Sequence, residues 1–176
     1  MCKQSNWDRC VAFHGHECGG LTIGYKAALY AIDLLNLSFS QDENVVCVSE
    51  NDACGVDAIQ VLLGCSVGKG NLLFRMRGKQ AYNIYERTSG KSVRLVLKQP
   101  PVEMSREEHF KYLQEKEPSE LFDVKEVTIK LPEKARIFSS HICDKCGEKT
   151  GNNWIRIQEE QKLCLDCYEQ YDRFSI

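Results

Sequence analysis

The 176-residue chain has no apolar run near the roughly 20 residues that span a bilayer, so no transmembrane helix is expected. Its first ten residues, MCKQSNWDRC, lack the apolar stretch of a secretory signal, and a cytoplasmic location is expected. There is no excess of positive charge. The 23 Lys and Arg against 25 Asp and Glu give a net charge of −2, so no global basic field draws the chain to nucleic acid. Low-complexity segments and internal repeats are missing as well. With 43% hydrophobic and 27% charged residues, the composition is that of a folded globular protein. A nucleotide-triphosphate loop is also excluded. In GCSVGKGN (64–71) only three residues separate Gly64 from Gly68, and Gly70 rather than Ser or Thr follows Lys69, which breaks the Walker spacing. At most a looser nest of backbone amides for an anion remains there.

Cysteine, by contrast, is abundant: there are ten. In a chain without a secretory signal, metal binding or redox chemistry explains such a count better than disulfides. Four of them form CDKC (143–146) and CLDC (164–167), two C-x2-C pairs separated by 17 residues. This is the spacing of a closed four-cysteine zinc site, since each pair aims two sulfurs at one point and a hairpin spacer brings the pairs together. Cys143, Cys146, Cys164 and Cys167 are therefore expected to hold structural Zn2+. Gly147 closes the first knuckle, Trp154 to Ile157 form a strand, and a helix runs from Cys164 through Tyr168 and Tyr171, as in a treble clef. A piece this short cannot bury enough core alone, so the metal is its expected staple.

Residues 1–138 read as the main domain and 139–176 as the finger. In the main domain, 21–37 has a small and apolar helical face, 45–50 is a buried strand, and 55–64 is a second helix. Three strand-like runs, 72–79, 81–88 and 92–98, favour an antiparallel meander. Ser105 and Glu108 make a capping box for a helix ending near Lys116, and 124–131 is a last strand. The fold class expected is α+β, an antiparallel sheet with helices plus the small finger. Arg75, Arg77, Lys79, Arg87, Arg94 and Lys98 are expected on a solvated sheet face, with an anionic cofactor or partner as the alternative.

The chemistry of the main domain concentrates in FHGHECGG (13–20) and ENDACGVD (50–57). If 13–16 is extended, His14 and His16 share a face and Cys18 follows at a helix start, where the dipole favours a thiolate. Cys54 also precedes a helix, with Asp57 in its first turn. His16, Cys18 and Cys54 are the candidate ligands of a second transition metal, and the candidate catalytic residues. Imidazole with thiolate suits Zn2+ or a similar ion, and a three-ligand set leaves a position open. His14 and Cys65 are further candidates. Cys47 reads as packing, and Cys2 and Cys10 as free thiols. A redox pair of Cys18 and Cys54 is another reading of the same residues.

Taken together, 13-FHGHECGGLTIGYKA-27 and 50-ENDACGVDAIQVLLGCSVGKGNL-72 resemble the FmdE family of formylmethanofuran dehydrogenase proteins. Members often carry a C-terminal treble-clef zinc finger. The resemblance implies an α+β core, a metal site near the HGH-x-C motif at His16, Cys18 and Cys54 with His14, Asp57 and Cys65 nearby, and a homodimer. The parent enzyme is a molybdenum or tungsten oxidoreductase of methanogenesis acting on a C1 group. Its iron–sulfur chemistry has no counterpart here, because the chain has no ferredoxin-type cysteine series.

Two functions follow. One is a metal-binding accessory subunit or small metal-dependent enzyme linked to C1, formylmethanofuran or molybdenum-enzyme metabolism. The other is a non-catalytic adaptor whose finger docks a protein partner. The residues do not decide whether the chain is itself an enzyme. Nucleic acid is disfavoured as a partner: residues 139–176 carry five Lys/Arg against seven Asp/Glu, and phosphate binding needs the opposite sign.

Overall fold

A computed structural model describes residues 4–173; Cys2 lies outside them. The chain forms two compact units, the first ending at Ala135 and the second beginning at Arg136. No helix among the described residues is long and apolar enough to cross a membrane.

The first unit opens with α1 (Asn6–His14), started by a capping box in which Ser5 Oγ accepts from the Asp8 N–H and the Asp8 carboxylate accepts from the Ser5 N–H. Then come α2 (Gly19–Leu35), β1 (Val45–Ser49), α3 (Gly55–Leu63) and β2 (Leu72–Phe74). β3 (Ala81–Glu86), β4 (Ser92–Leu97), α4 (Arg106–Glu115), α5 (Pro118–Leu121) and β5 (Phe122–Lys125) complete it. One five-stranded sheet has the order β2-β1-β3-β4-β5. The α+β class is as expected, but the meander is not complete. β2 does not pair with β3. It runs parallel to β1, with Cys47 opposite Leu72, because α3 supplies the crossover that parallel neighbours require. β3, β4 and β5 follow as an antiparallel series.

One sheet face is covered by α2 and α3, whose Leu21, Ala28, Ala31, Ile59 and Leu63 meet Cys47, Tyr82, Ile84 and Leu95. The other face carries Val46, Val48 and Tyr85 and is covered by Val127, Ile129 and Leu131. Those last residues were expected in a strand to 131. The strand ends at Lys125 instead, and the chain crosses the sheet, fastened where the Tyr85 hydroxyl donates to the Ile129 carbonyl at 2.8 Å. The basic residues of the sheet are not all on a solvated face. Arg94 on β4 forms a two-pronged pair with Glu50, 2.7 and 2.8 Å, and Asn83 Nδ2 adds a third bond to Glu50 at 3.0 Å. Arg87 Nε donates to the Glu43 carbonyl.

The second unit consists of two hairpins, β6 (Ser140–Ile142) with β7 (Lys149–Gly151), and β8 (Arg156–Gln158) with β9 (Gln161–Leu163). Trp154 closes a 3-10 turn before β8 rather than opening the strand. The helix expected from Cys164 through Tyr171, the third part of a treble clef, is not formed; residues 165–167 make a turn and the chain then runs on without a helix. The Gln158 side chain explains this. Its amide donates to the Glu169 carbonyl at 3.2 Å and its oxygen accepts from the Glu169 N–H at 3.0 Å. The first turn closes, with the Tyr168 N–H donating to the Cys164 carbonyl, but the Glu169 N–H and carbonyl that the next turn would use are committed to the hairpin, and so short a segment nucleates poorly.

Candidate functional site

Two glycines build the first site. A Cβ on Gly24 of α2 would overlap the Gly55 backbone at the start of α3. One on Gly55 would run into the Tyr82 hydroxyl and come within 3.0 Å of the Gly20 carbonyl and the Gly24 nitrogen. Backbone therefore touches backbone where α2 and α3 meet, which only residues without a side chain permit. This contact brings both helix N-termini together. Cys18 is the N-cap of α2, its sulfur accepting from the Leu21 N–H at 3.3 Å. Cys54 is the N-cap of α3 and is exposed. The two sulfurs flank Gly20, at 3.9 and 3.4 Å from where its Cβ would be. The loop before Cys54 is held by Asn51, whose side chain donates to the Lys79 carbonyl and accepts from the Ala53 N–H. Partial desolvation, and then the adjacent Cys18 thiol, raise the Cys54 pKa above the ordinary thiol value. A bound cation would reverse that direction.

The histidines arrive differently from expectation. FHGH is not extended: His14 is the last residue of α1, and Gly15 follows with φ +94°, a left-handed turn that suits glycine. That turn folds His16 back, so the two imidazole centroids lie 4.6 Å apart. His14 Nδ1 is 2.7 Å from Asp57 Oδ2, and its Nε2 is 3.7 Å from Cys18 Sγ. Gln60 holds the other Asp57 oxygen at 3.2 Å. A donor atom from each of His14, His16 and Cys18 lies within 4.8 Å of the others. Ligands around tetrahedral zinc sit about 3.5 Å apart, given bond lengths of about 2.0–2.3 Å. The three residues could hold such an ion, and Asp57 beside His14 Nδ1 is placed as a carboxylate that would fix the imidazole if it ligates. Cys54 adjoins this trio through Cys18 and is exposed.

Cys65 is not brought to this place. It lies past the far end of α3, a helix about 14 Å long at 1.5 Å per residue. It is fully buried, with its sulfur 3.6 Å from the Val45 carbonyl, and burial pushes its thiol up to about 12. Cys47 and Cys10 are likewise buried in the core. Lys69 of the glycine-rich turn donates to the Ser40 carbonyl at 2.8 Å. A cleft of about 530 Å³ opens beside the trio, with His16, Cys18, Gly20 and Cys54 on one wall and Arg106 and His109 of α4 on the other.

The finger brings Cys143, Cys146, Cys164 and Cys167 together, one sulfur from each lying within 4.8 Å of the rest. Cys143 Sγ accepts from the Cys164 N–H at 3.4 Å. Backbone N–H groups, of Cys146 first and Cys164 next, lower the Cys143 thiol to about 6. Asp144 ties the hairpins by accepting from the Lys162 N–H at 2.6 Å. This is a closed site for a metal such as zinc.

A crystal structure of a tungsten formylmethanofuran dehydrogenase FmdE-like protein from Syntrophus aciditrophicus is similar. It superposes with a TM-score of 0.67 at 26% identity, over 90% of this chain and 88% of that one. A probable S-adenosyl-L-methionine-binding protein of Archaeoglobus fulgidus is 27% identical over 195 aligned positions, 93% of this chain. The chain spans about half, 52%, of that relative's length. The family model described as FmdE, molybdenum formylmethanofuran dehydrogenase operon, matches residues 13–139, and the chain belongs to the FmdE family.

Proposed function

We propose that the core unit is a metal-dependent ligand site, with His14, His16 and Cys18 holding a transition metal, Zn2+ by donor chemistry, and Cys54 standing beside them. In this reading the chain is an accessory subunit or small enzyme associated with the C1 oxidoreductase chemistry of its family. The observation that carries it is the Asp57–His14–Cys18 chain of 2.7 and 3.7 Å contacts. A histidine whose Nδ1 proton is fixed by a carboxylate presents its Nε2 as a ligand. A metal bound there supplies Lewis acidity to a ligand in the adjoining cleft. The protein's own groups do the rest. Asp57 keeps the proton on His14 Nδ1, Gly20 lets both thiols approach the cleft floor, and the exposed Cys54 thiol is placed to exchange a proton with whatever enters.

Metal content per chain, by mass spectrometry, tests this on the native protein and on Cys18→Ala. Two equivalents falling to one, with the thermal midpoint little changed, is the expected result. One equivalent in both proteins would overturn the reading. The competing reading, an adaptor docked through its finger, draws on the exposed Trp154, Ile157 and Leu165. It predicts that second outcome.

A further inference from the structure

The wall of the cleft opposite the thiols belongs to α4, and its residues follow one helical stripe. Arg106, His109, Phe110 and Leu113 stand at i, i+3, i+4 and i+7, hence on one face. Leu113 is fully buried and its Cδ1 lies 3.6 Å from where a Cβ of Gly19 would be. Lys26 of α2 fastens the same C-terminal end of α4 by donating to the Gln114 and Lys116 carbonyls at 2.9 and 2.6 Å. Both contacts hold the C-terminal end of the helix, and its first turn, with Arg106, lines the cleft. Arg106 and His109 also line a second, neighbouring hollow.

The charge of this wall is specific. The Arg106 guanidinium has no hydrogen-bond or ion-pair partner among the described residues. Arg87 and Arg94, by contrast, are each held by a glutamate. Facing Arg106 are Gly19 and Gly20, the first residues of α2, where a helix leaves its amide N–H groups without intrahelical acceptors. From these we infer that Arg106 receives the carboxylate of a small bifunctional ligand whose other end, a thiol or carbonyl, reaches the Cys18–Cys54 face. The inference rests on reading the cleft as a ligand site. A carboxylate fits better than a phosphate. There is one unpaired guanidinium, whose fork matches two oxygens. Glu17 and Glu107 on the rim would repel a dianion. The volume of about 530 Å³ is that of a small-molecule pocket rather than a polymer groove.

Isothermal titration with 3-mercaptopropionate and with its neutral amide, run anaerobically on the full chain, tests this. The two probes share the thiol and differ only in charge at the far end. The acid is expected to bind about tenfold or more tightly than the amide, the usual scale of a charge-assisted pair. In Arg106→Gln the two affinities become equal while the metal content stays that of the native protein. Arg106 is exposed, so the variant folds. Equal binding of acid and amide by the native chain would overturn the inference, as would a preference that survives in Arg106→Gln. A metal content of one per chain would defeat the metal reading alone, because the acid–amide comparison still decides the role of Arg106.

Discussion

Gly24→Ala is expected to destabilise the first unit by about 3 kcal/mol or more, the upper range for overpacking a rigid contact, and to abolish metal binding at the core site. The added methyl meets the carbonyl, C and Cα of Gly55. These are backbone atoms, so no rotamer change relieves the overlap. α2 and α3 must separate, and with them go Cys18 and Cys54, because each caps one of these helices. Urea denaturation and metal content, measured on the same preparation, check both effects. Gly68→Ala is the control: nothing lies within 4 Å of a Cβ there, and it should alter neither quantity.

Glu50→Gln is expected to cost about 3 kcal/mol near neutral pH, the scale found when one partner of a buried pair is removed. Glu50 is only 5% exposed and accepts both prongs of Arg94. The substitution leaves that guanidinium without its counter-charge. The same pair gives the stability a direction in pH. Hydrogen bonds from Arg94, more than offsetting burial, hold the Glu50 carboxyl down at about 2, against about 4.3 in an unfolded chain. A carboxylate with a depressed folded pKa binds fewer protons folded than unfolded, so its contribution is full above about pH 4.3 and vanishes as pH falls through about 2. The stability difference between native protein and Glu50→Gln should therefore be flat from about pH 7 to 5 and shrink steadily between about pH 4 and 2. A difference independent of pH across that window would contradict the pairing.

The parts of the molecule that were legible in the sequence are those fixed by short spacings. Two C-x2-C pairs announce a four-sulfur cluster whatever surrounds them. Ser105 with Glu108 announces the start of α4, and Cys18 and Cys54 before glycine-led helical patterns announce two N-caps. The capping box at Ser5 and Asp8 is an available signal for α1. The two histidines instead invite an extended reading of 13–16, which gives His14, the third member of the trio, second place. Other features depend on partners far along the chain. Asp57 holds His14 across 43 positions, and Arg94 reaches Glu50 across 44. Neither has a local signature. The pairing of β2 with β1 rather than β3, and the replacement of the finger's helix by the Gln158–Glu169 bonds, are of the same kind: tertiary hydrogen bonding overrides what the local pattern prefers.

The central claim is that the core unit holds its own metal, and anomalous diffraction from crystals grown with zinc, collected on both sides of the zinc edge, tests it most directly. Two peaks per chain are expected, one among Cys143, Cys146, Cys164 and Cys167 and one among His14 Nε2, His16 and Cys18 Sγ. A peak in the finger with none beside His14 would contradict it.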